Sequence, residues 1–133
     1  MLMDAKWAFQ TPSTFAESMP VVTTTEFVSE PIDLKTAGYA DGGGELAVAF
    51  RCVNQAANAG LGCTFALKHC ATVGGTYLTV SSKTLALAEI TTGKFLGNLP
   101  FAPDMLQFIK FVVTPTASTN NTSNFMANVI TTG

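Results

Sequence analysis

From Met105 to Thr114 both alternating sets of residues are largely apolar: Gln107, Ile109, Phe111 and Val113 point one way, and Leu106, Phe108, Lys110 and Val112 the other. A strand of that kind belongs in the middle of a sheet that is covered on both faces. Pro115 ends the run, because it has no N–H for a ladder, and the Ser, Thr and Asn residues from Thr116 to Ser123 have the composition of a solvated connection. Phe125–Ile130 is a second apolar run, and the two are expected to form a long antiparallel hairpin.

The earlier chain supplies strands to cover those faces. Leu46–Val53 alternates cleanly, with Leu46, Val48, Phe50 and Cys52 on one face and Ala47, Ala49, Arg51 and Val53 on the other. After a loop of Asn, Ala and Gly, Cys63, Phe65 and Leu67 face the core while Thr64, Ala66 and Lys68 face out. These two strands are expected to pair, which makes Cys52 and Cys63 inward-facing neighbours, free as thiols and joined only under oxidising conditions. Gly74-Gly75 marks a turn into a short strand that breaks at Ser81-Ser82-Lys83. Leu85–Ile90 contains good helix formers but is short, alternates at period two and is followed by a Thr pair, so it reads as strand. Lys94–Leu99 is a further extended piece.

Phe27–Leu34, interrupted by Pro31, suits an edge strand. Upstream of it no period is sustained, and Trp7, Phe9 and Phe15 stand as isolated aromatics on a polar stretch, the pattern of an extended arm that clamps onto a neighbouring surface. The pattern predicts one all-β domain over residues 27–133, an antiparallel sandwich or barrel, with an arm at 1–26.

Composition changes this picture in one respect, the surface. Charged residues make up 12% and hydrophobic ones 47%, so the exterior is built from small neutral groups and part of it is expected to be covered by another copy or another protein. A net charge of -2 with scattered Lys and Arg excludes nucleic acid as the main partner. Asp4 and Lys6 interrupt the apolar patch at Met1–Phe9, so neither a signal peptide nor a membrane span is expected. Cys52, Cys63 and Cys70 sit in apolar strand patterns, as buried thiols in a reducing compartment do.

Candidate chemistry is sparse. The single His, His69, adjoins Cys70 on a strand, where neighbours point to opposite faces and do not meet as base and nucleophile. The carboxylates lack calcium spacing, Cys63 and Cys70 lack the spacing of a zinc site, and Asp41-Gly42-Gly43-Gly44 lacks the Lys and Ser/Thr of a phosphate-cradling loop. No catalytic residue, cofactor or metal is expected, and the chain reads as a binding protein rather than an enzyme. Asn120 and Asn121 match a glycosylation acceptor pattern and are read as loop residues. Trp7, Tyr39 and Tyr77 are the aromatics that a carbohydrate site would use.

Several stretches in order carry a resemblance: the Asp4–Phe9 start, the Thr-rich lead into Pro31-Ile32-Asp33-Leu34, Asp41-Gly42-Gly43-Gly44-Glu45-Leu46, Asn98-Leu99-Pro100, and Phe108–Thr114 with Phe125–Ile130. Together they resemble the jelly-roll cement, or decoration, proteins that bind the outside of tailed-bacteriophage heads. The resemblance implies a jelly-roll sandwich assembled in the bacterial host cytoplasm and placed on the outer capsid surface of the virion. It implies the major capsid protein as partner, and self-association with a dimer favoured over a trimer. Contact residues would be Trp7, Phe9 and Phe15 on the arm, then Asp41, Glu45, Asn120 and Asn121 in the loops. The alternative is an all-β tail or receptor- or carbohydrate-binding module of a virion.

Overall fold

A computed structural model describes residues 27–34, 46–54, 62–115 and 124–131. Its strands are β1 (Phe27–Val28), β2 (Ile32–Asp33), β3 (Leu46–Asn54), β4 (Cys63–Cys70), β5 (Leu78–Leu85), β6 (Phe95–Pro100), β7 (Phe108–Pro115) and β8 (Asn124–Thr131). All pairings are antiparallel, and they build two sheets. In one, β7 lies between β4 and the β1/β2 edge, and β5 flanks β4 on the other side; in the other, β3 lies between β6 and β8. The protein is an all-β antiparallel sandwich.

The alternation expected of β3, β4 and β7 is observed. Val48, Phe50 and Cys52 meet Cys63, Phe65, Leu67, Ile109, Phe111 and Val113 in one core. Four aromatic rings bind the layers together: Phe65 stacks on Phe50 at 4.6 Å between centroids, meets Phe125 edge-on at 5.0 Å and lies 6.1 Å from Phe111. Phe50 and Phe125 belong to one sheet and Phe65 and Phe111 to the other. As the pattern required of a central strand, β7 is apolar on its outer side too, where Val112 is buried.

Phe27–Leu34 runs along the free side of β7 as two short bridges separated by Ser29–Pro31, Phe27 opposite Val113 and Ile32 opposite Ile109. Proline breaks the ladder, and Ser29 repairs it: its N–H donates to the Phe111 carbonyl at 3.0 Å, and its buried Oγ accepts the Phe111 N–H at 2.9 Å. Buried backbone groups without partners are costly, so a hydroxyl at this bulge is a physical requirement.

Four expectations are corrected. β3 and β4 do not pair, since each lies in a different sheet, and the same holds for β7 and β8. Short connections permit either a hairpin or a crossing between layers, and here both cross. The chain does not break at Ser81–Lys83: β5 continues to Leu85, because an edge strand tolerates polar side chains that reach solvent. Leu87–Glu89 is a 3-10 turn, not strand; the Glu89 carboxylate accepts the Ala86 N–H at 3.0 Å while the Glu89 N–H donates to the Ala86 carbonyl at 2.9 Å. That reciprocal closure resembles a capping box and competes with a ladder.

Candidate interaction surface

The contact residues expected from sequence, Trp7, Phe9, Phe15, Asp41, Glu45, Asn120 and Asn121, lie outside the described residues. The described flanks of the two loops stand at opposite ends of the sandwich. Pro115 is paired with Cys63 and lies at one end; Leu46, whose carbonyl accepts the Phe101 N–H at 3.0 Å, lies at the other. The loop candidates therefore belong to two ends and not to one site.

The best-defined apolar projection is one that sequence reasoning missed. The β4–β5 connection, Ala71–Tyr77, is held by the Gly75 N–H donating to the Thr72 carbonyl at 3.2 Å and by the Tyr77 hydroxyl donating to the Val73 carbonyl at 2.9 Å. Lys110 Nζ sits 4.4 Å over the Tyr77 ring, a cation–π contact that pins the tip to β7. Burial, then the neighbouring Cys70, raises the Tyr77 pKa and keeps its phenol a donor. On this braced tip Val73 is 55% exposed and Leu78 63% exposed. The alternating pattern concealed them, because Leu78 has the phase of an inward position, pairing with His69, at a strand end that overruns the core. A third exposed group, Phe95, lies on β6 beside Arg51 of β3, at the opposite end.

His69 and Cys70 point to opposite faces, as alternation requires. His69 Nδ1 accepts the Leu106 N–H at 3.2 Å, and Cys70 Sγ lies 3.8 Å from the Thr72 hydroxyl on the outer side. Among the described residues, no three His, Cys, Asp or Glu side chains are grouped as metal ligands.

All three cysteines are thiols. Cys52 and Cys63 both face the core, but from opposing sheets, so a bond between them would link the layers rather than neighbouring strands. Burial, and secondarily Cys52, pushes the Cys63 thiol up to about 11. Since the thiolate is the nucleophile, Cys52 and Cys63 in native protein should resist a thiol reagent at pH 8 and react on denaturation; rapid native labelling of either would contradict this burial. Folding raises the Cys63 pKa, so the folded chain keeps a proton that the unfolded chain releases. That contribution is whole below about 9 and declines as pH rises towards about 11.

No protein-family model matches the chain, and no curated protein matches it either. What carries the functional reading is therefore the surface itself and the motif resemblance.

Proposed function

We propose that the protein is a structural component of a tailed-phage virion that binds the outer surface of the head and cements contacts between major capsid proteins. The observation that carries the reading is the braced β4–β5 tip, whose Val73 and Leu78 project from an otherwise small-residue, weakly charged sandwich. Apolar side chains held on a rigid turn bind with little ordering cost, and repetition over a symmetric shell converts modest contacts into high avidity. The connection 35–45, with Asp41 and Glu45, joins Leu34 to Leu46 at the same end and extends that surface. No step of this role needs a nucleophile, metal or cofactor.

Co-sedimentation with shells that bear only the major capsid protein tests the proposal. Wild type should pellet with shells, and the pair Val73→Asp and Leu78→Asp should weaken binding by ~10-fold or more, the effect of losing an apolar anchor, at an unchanged Tm. A protein that ignores shells would overturn the reading and favour the tail or carbohydrate-binding module, to be examined by glycan screening.

A further inference from the structure

The two sheets differ in width, and the difference falls on one side. Along the β5/β6 side the layers are tied together: the Ser81 hydroxyl donates to the Pro100 carbonyl at 3.2 Å and Lys83 Nζ to the Leu96 carbonyl at 3.1 Å. From that side, β5, β4, β7 and the β1/β2 edge give four strand positions in one sheet, whereas β6, β3 and β8 give three in the other. On the far side the inner face of β1 therefore has no described strand opposite it. The burial pattern agrees: Phe27 and Val129 both point inward and pack on the core, yet each is only half-buried.

The edge at this step is β8, which pairs only with β3 among the described residues. Protected edges carry charge, proline or a bulge. β6 ends in Pro100, β5 carries Lys83 and a register shift, and the β1/β2 edge contains Pro31. β8 (Asn124–Thr131) carries none of these in its own sequence, Asn-Phe-Met-Ala-Asn-Val-Ile-Thr. Near its middle, Asn128 is 6% exposed and its Nδ2 has no hydrogen-bond partner.

We propose that the segment Ala5–Thr11 of the same chain adds to the edge of β8 as an antiparallel strand and closes the core with Trp7 and Phe9. Residues two apart share a face of a strand, so Trp7 and Phe9 point inward together while Lys6, Ala8 and Gln10 point out. The direction follows from the ladder. β1 begins opposite Val113, near the end marked by the Cys63–Pro115 pair, and β8 starts at that same end, where Phe125 faces Cys52. A strand leading into β1 by the shortest turn finishes at that end and so runs against β8. Residues 12–26 span up to ~50 Å when extended, ample for a crossing of ~10 Å between layers. The added strand makes both sheets four wide, the count of an eight-stranded jelly roll. It makes Trp7 and Phe9 part of the fold and leaves Phe15 and the β4–β5 tip for contact with other molecules.

Trp7 is the only tryptophan, so its fluorescence reads this directly in the unmodified protein without shells. The expected result is a blue-shifted, quencher-shielded emission in monomeric protein that turns red and accessible on unfolding, with hydrogen exchange slowed along β8. Deleting Met1–Thr11 should lower the Tm and speed β8 exchange. Shielding that disappears when a dimer is diluted to monomer would assign the strand to a second copy and overturn addition within one chain. A native Trp7 that is exposed, and becomes shielded only when shells are added, would overturn the proposal and make the segment a clamp. Because the protein is tested alone, failure here leaves the shell-binding result untouched.

Discussion

Phe65→Ala is expected to cost ~3–5 kcal/mol, the range for truncating a large aromatic in a closed core. The site cannot collapse around the loss, since the ring is held on three sides: stacked on Phe50 at 4.6 Å, edge-on to Phe125 at 5.0 Å and 6.1 Å from Phe111. Two of these partners lie across the sandwich, so the cavity opens between the layers where β3 and β8 face β4. A domain of this size has a total stability of ~5–15 kcal/mol, so the variant should be marginal or unfolded at 37 °C. Urea titration with a fluorescence or circular-dichroism readout checks it: the midpoint should fall sharply with little change in slope. Phe95→Ala is the control, because Phe95 is 57% exposed and should change stability by less than ~0.5 kcal/mol. Equal effects at the two positions would refute the placement of the core.

The second large effect is expected from the smallest residue. Gly62 precedes β4 and is packed so closely against the end of β5 that an added Cβ would fall on the Leu85 carbonyl oxygen, with the Leu85 carbonyl carbon at 2.8 Å and the Ala86 Cα at 2.9 Å. These are backbone atoms, and the ladder begins at the next residue with Cys63 opposite Leu85. Gly62→Ala must therefore pry β4 from β5 or displace the turn at Leu87–Glu89. A cost at or above the top of the ~1–3 kcal/mol typical of overpacking is expected. Gly74→Ala, where a Cβ meets nothing within 4 Å, should be neutral or slightly stabilising through reduced freedom of the unfolded chain. Thermal unfolding of the two variants side by side distinguishes a packing constraint from a general intolerance of alanine.

How much of this was legible beforehand depends on whether the physics is local. The faces of β3, β4 and β7 could be read directly, because alternation registers burial residue by residue, and Pro31 correctly marked a broken edge. The 3-10 turn at Leu87–Glu89 was not legible, since Leu85–Ile90 carries the same period as a short strand and the deciding group is the Glu89 side chain closing on Ala86 N–H. Val73 and Leu78 were missed for a related reason: phase says which way a side chain points, but not whether a sheet lies opposite. The contact residues Trp7, Phe9, Phe15, Asp41, Glu45, Asn120 and Asn121 were chosen for residue type alone.

By itself, the sequence determined that this is an all-β protein with an apolar central strand, inward thiols and a surface poor in charge. Only the tertiary structure decided that β3 and β7 each send the chain across to the opposite sheet, that the β4–β5 tip stands clear of the core, and that one sheet is a strand narrower than the other. The reason is physical: side-chain alternation is set within a few residues, whereas the choice of pairing partner is settled by competition among all the strands for the same buried faces.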